Sequence, residues 1–182
     1  MIYMFCAPGF EETEAIVPLD ILRRAELNVE TVGVGGKTVV SSHGVKIECD
    51  IAEEDVIAAD MEMIILPGGM PGTLNLEKSA VVQASIDHAA RNNLWIAAIC
   101  AAPSILGHKG LLDGIRSTCF PGYETQLGKA NYTGAACEMD GMFITARGAG
   151  VALQFGFKIV EALLGTEQSN KIIEAMQCEK TI

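Results

Sequence analysis

The stretch LWIAAICAAP, residues 94–103, decides the fold of this chain. Residues 94–99 are all apolar, which is typical of a strand buried on both faces of a parallel sheet. Cys100 follows that strand at once between small residues, and Pro103 permits a helix to begin in the next turn. A strand that passes directly into a helix through a tight turn indicates a βα unit.

Similar units recur on both sides of this stretch. Residues 2–6 form a predicted strand, and Pro8-Gly9 turns it into a helix that begins with acidic residues and continues to about Glu26, with a kink near Pro18. Apolar patterns predict further strands at 29–34, 63–66, 116–119 and 142–145, a hairpin at 38–40 and 45–49, and helices at 79–91, 150–164 and 167–177. Strands separated by helices predict an α/β fold with a mainly parallel sheet and helices on both faces.

Length and composition narrow the class of protein. We expect the 182 residues to form a single domain, residues 1–182. The net charge of −10 disfavours docking to nucleic acid, and the longest apolar runs are too short to span a membrane. The first residues lack the basic region of a signal peptide, so we expect a cytoplasmic protein whose six cysteines are free thiols. The histidines lack metal-ligand spacing, and we expect no metal and no cofactor.

Cys100 is the candidate nucleophile. A strand-to-helix turn is how a hydrolase-type elbow exposes its nucleophile above a sheet, and nearby backbone N–H groups favour the thiolate. We therefore expect a lowered pKa for this thiol. The carboxyl ends of parallel strands meet at one edge, which would bring Glu14 and the Gly68-Gly69 turn to Cys100. Glu14 is the candidate acid and base, and the amides of Gly69 and Ala101 are candidates for stabilising an oxyanion.

Each of these residues also has a purely structural interpretation. Glu14 suits the first turn of a helix whatever its function, and Gly68-Gly69 closes a strand turn in many proteins. Cys119 is expected to pack in the core, with a pocket-lining or resolving thiol as the alternative. Asp20 and Arg24 have the i,i+4 spacing of an ordinary helical ion pair.

Six segments, in this order, resemble the DJ-1/ThiJ/PfpI superfamily and its DJ-1-like branch over essentially the whole chain. They are GFEETE (9–14), DILRRA (20–25), LPGG (66–69), AAICAAP (97–103), TCFPG (118–122) and RGAG (147–150). The resemblance implies a flavodoxin-like three-layer fold, a thiol of Cys100 hydrogen-bonded to Glu14, and a homodimer with Asp20 and Arg24 at its interface. It also implies a cofactor-independent glyoxalase or deglycase, or a stress protein whose cysteine becomes oxidised.

Departures from that pattern matter for the mechanism. Protease-like members of the superfamily carry a histidine directly after the cysteine, where this chain has Ala101, so peptidase activity is not expected. Phe120 stands where some DJ-1-like proteins have a pocket histidine. His43, in the hairpin loop, is a further pocket candidate that would have to reach the site from the second subunit of a dimer. His108 lies about 12 Å along the helix from Cys100, too far to assist directly.

Three functions remain open from the sequence. In the first, Cys100 attacks methylglyoxal, glyoxal or a glycated protein and Glu14 moves the protons. In the second, the same thiol is oxidised by peroxide and the protein acts as a redox sensor or chaperone. In the third, the cysteine is vestigial and the dimer is a binding module.

Overall fold

A central sheet of seven strands organises the computed structural model, which describes residues 1–178. In chain order the strands within these residues are β1 (Ile2–Cys6), β2 (Val29–Gly33), β3 (Thr38–Val40), β4 (Lys46–Glu48), β5 (Ile51–Ala52), β6 (Met63–Leu66), β7 (Trp95–Ile99), β8 (Arg116–Ser117), β9 (Asn131–Tyr132), β10 (Cys137–Asp140) and β11 (Phe143–Ala146). The α-helices are α1 (Glu12–Arg24), α2 (Gly72–Lys78), α3 (Ala80–Arg91), α4 (Pro103–His108), α5 (Ala152–Leu164) and α6 (Thr166–Ala175).

The order of the strands in the sheet creates a crevice beside its centre. The order is β10-β11-β7-β6-β1-β2-β5, and all neighbouring pairs are parallel except β10 with β11. From β1 the chain first extends the sheet through β2 and β5, and then returns to build the other side from β6 onwards. The switch point lies between β1 and β6, where open α/β sheets bind their ligands.

Alternate residues of the central strands face two separate hydrophobic cores. In β1, Ile2 and Met4 join the core that also contains Phe155 of α5, whereas Tyr3 and Phe5 join a second core on the opposite face. Helices α1, α5 and α6 contribute to the first core, and α3 and α4 contribute to the second. The predicted α/β architecture, a mainly parallel sheet with helices on both faces, is confirmed.

The main differences from the sequence-based prediction lie in short elements. The hairpin is present as β3 and β4, but α2, β5, β9 and β10 were not predicted. The strand expected at 116–119 ends at Ser117, because Thr118 leaves it and donates its N–H to Thr145 Oγ1 of β11 (2.9 Å). Helix α1 runs through Pro18 as one element. No helix within residues 1–178 is long and apolar enough to cross a bilayer.

Candidate active site

Cys100 occupies the turn between β7 and α4 in a left-handed backbone conformation. Its φ is 66°, a region that residues with a side chain rarely adopt. Two hydrogen bonds hold the residue there: its N–H donates to the carbonyl of Ala146 (2.8 Å), and its carbonyl accepts from the N–H of Phe120 (2.8 Å). Neighbouring segments thus fix the turn from both sides, which keeps a strained conformation populated. The thiol is partly exposed at the carboxyl edge of the sheet.

Glu14 lies under this turn in the first part of α1. The residue is 1% exposed, and its carboxyl group forms a hydrogen bond with the Cys100 thiol. The N–H of Gly68 donates to Glu14 Oε2 (2.9 Å), and Glu11 Oε2 caps the helix by accepting from the N–H of Glu14 (2.8 Å). The loop after β6 and the start of α1 therefore orient the acid together.

Gly68 fits between the nucleophile and the acid because it has no side chain. A Cβ at this position would lie 2.6 Å from Cys100 Cβ and 2.7 Å from Glu14 Oε2, far inside van der Waals contact. Its N–H is already engaged by Glu14. Gly68, a candidate for the binding site through its place in the Gly68-Gly69 turn, therefore positions Glu14.

The environment raises the pKa of the acid. Burial raises the pKa of Glu14 to about 7, and the negative charge of Glu11 adds to the increase. The hydrogen bonds with Cys100 and with the N–H of Gly68 favour the carboxylate and offset this effect only in part. Glu14 is therefore half protonated near neutral pH, as a group that both donates and accepts protons requires.

The pKa of the nucleophile is also raised. Burial raises the pKa of Cys100 to about 12, and the charge of ionised Glu14 contributes, although the N–H groups of Gly69 and Ala101 hydrogen-bond the sulfur and favour the thiolate. The expectation that the turn by itself lowers this pKa is wrong, because burial and the adjacent carboxylate outweigh the two amides. The two groups titrate as a pair that loses one proton near pH 7 and the second far above it. At pH values between these two steps, one proton remains on the Cys100–Glu14 pair.

A cavity of about 410 Å³ adjoins the pair. It is lined by Phe120, Pro121, Arg147, Gly148, Ala149, Gly150 and Val151. Phe120 is 47% exposed, and the N–H of Ala149 hydrogen-bonds Glu14, so the cavity lies next to the acid. Cys119 instead packs in the second core with no exposed surface, which fits the core interpretation rather than the pocket-lining one.

The sequence that builds this site matches the model of a known protein family. The family model described as the DJ-1/PfpI family covers residues 1–162. The chain belongs to the DJ-1/PfpI family. It is 35% identical to protein dj-1beta of Drosophila melanogaster over 174 residues, which are 93% of this chain and 92% of that protein. It is 32% identical to a glutathione-independent glyoxalase of Caenorhabditis elegans over 168 residues, covering 91% of this chain and 89% of the relative.

Solved structures show the same fold. The crystal structure of a variant of DJ-1 superfamily protein STM1931 from Salmonella typhimurium superposes with a TM-score of 0.93 at 31% sequence identity, covering 98% of both chains. Some family members are longer than this chain. DJ-1 homolog B of Arabidopsis thaliana is 33% identical to it, and the chain spans 39% of that protein.

The remaining candidates of this DJ-1/PfpI chain lie outside the Cys100–Glu14 pair. His43 Nδ1 contacts Glu12 Oε1 (3.0 Å) on the surface, and the side chain is exposed. Glu11, Glu12 and His43 offer ligand atoms within 4.8 Å of one another, a metal-ligand grouping that the sequence spacing did not predict. Glu11 already caps α1 and Glu12 already contacts His43, so both carboxylates have structural partners.

Asp20 and Arg24 form the expected ion pair on α1. Arg24 Nε and Asp20 Oδ2 are 2.8 Å apart, and both side chains are 49% exposed. An exposed pair of this kind contributes little to stability, which leaves the predicted interface role open.

The sequence analysis missed the contribution of Ala149 to the site. Its N–H reaches Glu14 because β11 pairs with β7, which places residues 147–150 beside the elbow. The RGAG motif was visible in the sequence, but its distance from Cys100 along the chain gave no indication that they meet. The strand order supplies that information.

Proposed function

We propose that this protein is a cysteine-dependent, cofactor-independent glyoxalase or deglycase that acts on methylglyoxal, glyoxal or their protein adducts. The observation that carries the proposal is the hydrogen bond between the partly exposed Cys100 thiol and the buried carboxyl group of Glu14. One transfer along their hydrogen bond gives a thiolate nucleophile and a carboxylic acid together. The naming of one relative as a glutathione-independent glyoxalase supports this chemistry.

The first step joins the substrate to the enzyme. The Cys100 sulfur adds to the aldehyde carbon of methylglyoxal, the carbonyl π electrons move to oxygen, and Glu14 donates its proton to form a neutral hemithioacetal. The N–H groups of Gly69 and Ala101 already hydrogen-bond the sulfur, so they lie close to the oxygen on which charge develops.

The next steps move a hydrogen between adjacent carbons and release the product. Glu14, now a carboxylate, removes the C1 proton of the hemithioacetal to form an enediolate. Glu14 returns that proton at C2, and the C1 hydroxyl proton moves to the C2 oxygen, which leaves a thioester on Cys100. Water hydrolyses the thioester to lactate and regenerates the thiol. The overall reaction adds one water to methylglyoxal and requires no redox partner. With a glycated thiol or amine, Cys100 would displace that thiol or amine from its hemithioacetal or hemiaminal carbon, and Glu14 would donate a proton to the leaving group.

The test is the appearance of lactate from methylglyoxal without glutathione. We expect Cys100→Ser to lower kcat/KM roughly a thousandfold or more, because the nucleophile is lost, and Glu14→Gln to lower it roughly a hundredfold or more. Cys178→Ser, which changes a thiol far along the chain in the segment after α6, is the matched control and keeps wild-type activity. Wild-type activity should rise as the pH passes about 7, where the pair loses its first proton.

A second function rests on the exposure of the thiols. Cys100 is partly exposed, as are Cys137 and Cys178, whereas Cys6, Cys49 and Cys119 are buried, so peroxide has access to Cys100, which also hydrogen-bonds the Glu14 carboxyl group. Protonated Glu14 would then hydrogen-bond the sulfinate oxygen. A wild-type protein that forms no lactate but forms a Cys100 sulfinate faster than Cys178 reacts would overturn the enzyme proposal in favour of redox sensing.

A further inference from the structure

Arg147 is a cation with no ionic partner at the mouth of the site. Its side chain is exposed, and no carboxylate within the described residues lies within 4.0 Å of its guanidinium group. Its backbone N–H donates to the carbonyl of Ala136 (3.1 Å), which fixes the start of the loop after β11. Other cations of the described residues, such as Lys37 and Arg91, also lack an ion pair, so what distinguishes Arg147 is its place in the lining of the cavity beside the site.

The position of Arg147 is tied to the nucleophile through the backbone. Ala146, the residue before it, accepts the N–H of Cys100, and Phe120 donates its N–H to the Cys100 carbonyl. Arg147 and Phe120 both line the 410 Å³ cavity, and Ala149, which also lines it, hydrogen-bonds Glu14 through its N–H.

The nearest polar side chains leave the guanidinium available. Tyr132 is close enough for the charge of Arg147 to favour its phenolate form, and Tyr132 in turn hydrogen-bonds Glu124. Glu124 accepts from the N–H of Gly122 (2.8 Å) as well, so this carboxylate has partners other than Arg147. Of the anions near the cavity, Glu14 is buried and already hydrogen-bonded.

We propose that Arg147 is a specificity-determining residue and that the site prefers 2-oxoaldehydes bearing a carboxylate at the end remote from the aldehyde. The aldehyde carbon meets Cys100, the intervening methylene groups pack on Phe120, and the guanidinium pairs with the carboxylate. This inference rests on the proposed function for its chemistry, and it narrows the substrate class. An overall acidic surface repels such substrates, and Arg147 reverses the local potential where they enter.

The first test measures binding and needs no turnover. We would titrate 4-oxopentanoate, which lacks the aldehyde, and its neutral methyl ester into the wild-type protein by calorimetry. The acid should bind roughly tenfold more tightly than the ester, the size of effect that one charge-assisted hydrogen bond produces. Arg147→Gln should remove this difference, Arg147→Lys should keep part of it, and Arg91→Gln, at the end of α3, is the matched control that keeps it fully.

The second test measures selectivity in turnover. The ratio of kcat/KM for 4,5-dioxopentanoate to that for its methyl ester should fall roughly tenfold in Arg147→Gln and stay at its wild-type value in Arg91→Gln. Equal binding of acid and ester, or a preference that survives Arg147→Gln, overturns the role of Arg147 even if methylglyoxal is converted. Failure to convert methylglyoxal overturns the proposed function alone, because the binding test still decides the role of Arg147.

Discussion

The chemistry of the site depends on where a single proton resides. Burial of Glu14 and the closeness of Cys100 make the pair lose its first proton near pH 7, and Gly68 leaves the space that lets the two groups stay in contact. Removing the acid therefore changes both the reactivity of the thiol and the stability of the protein, and these two effects are measured separately.

Glu14 should make the stability of the protein fall as the pH rises. Its pKa is about 7 in the folded protein and 4.5 as an unperturbed group, so its contribution is complete below pH 4.5 and is lost as the pH rises through 7. Glu14→Gln removes this dependence. The free energy of unfolding of wild type relative to the variant should fall by about 3 kcal/mol between pH 4.5 and 8. Denaturant titrations at several pH values measure it.

Glu12 is the matched control for this experiment. Its contribution to the stability of the protein changes with pH in the opposite direction to that of Glu14. The N–H groups at the start of α1, followed by Ser41 and His43, lower the pKa of Glu12. The stabilisation that Glu12 contributes is present above its ordinary pKa and is lost as the pH falls. Glu12→Gln should therefore not remove the fall in stability with rising pH that Glu14 causes. A wild type that gains stability relative to Glu14→Gln over this range would show that Glu14 is not buried as an acid.

The sequence was sufficient to identify the two reactive residues but not their pKa values. The position of Cys100 after an apolar strand and the resemblance to a family located the pair. The predicted direction of the Cys100 pKa shift was wrong. This pKa depends on burial of the thiol and on its contact with Glu14, and both result from packing between segments 86 residues apart and not from the local sequence.

At the level of elements, α1 and α5 pack closely against each other and so hold Glu14 in place. Gly156 makes this contact possible: a Cβ there would lie 2.6 Å from Ile21 Cδ1 and 3.1 Å from the Cα of Pro18. Helix α1 therefore depends for its position on a residue in a different helix, far from the site.

Gly156→Ala should destabilise the protein in spite of the helix propensity of alanine. Alanine is favoured over glycine in a helix by about 1 kcal/mol, but overpacking against backbone costs about 1–3 kcal/mol, so the net effect should be destabilising. Gly150→Ala is the matched control, because a Cβ there meets no atom within 4 Å. Thermal unfolding of both variants measures the effect, and an increase in Tm for Gly156→Ala would contradict the packing argument.

Long elements were predictable because their periodicity is strong, whereas several of the short ones were not. Helix α3 was predicted within one residue of its observed start. Helix α2 has seven residues and follows Pro71, too few for an amphipathic pattern to emerge. Strands β5 and β9, which were not predicted, have two residues each, and their existence depends on a neighbouring strand rather than on their own sequence.

For the whole molecule, self-association remains a prediction. Ile16, Asp20 and Arg24 follow one another at four-residue spacing, and all three are exposed on α1, opposite the contact with α5. Sedimentation should give a mass about twice the 19.3 kDa of one chain, and Ile16→Glu should shift it towards one chain. Leu164→Glu, an exposed apolar residue at the end of α5, is the control. A monomeric wild type would contradict the prediction.

The strand order is the feature of the whole molecule that the sequence could not supply. Motifs at residues 14, 68, 100 and 147 each indicated a turn at the end of a strand or the start of a helix, but the sequence does not state which strands are neighbours. The order β11-β7-β6-β1 brings those four turns together.

The left-handed backbone of Cys100 sets a limit on engineering. A φ of 66° suits glycine, so a search for more stable variants that scores only the free energy of folding would favour glycine at this position. Such a variant would fold better and lose its nucleophile. The chain therefore trades stability for reactivity at one peptide unit, and optimisation of its thermal resistance has to exclude that position.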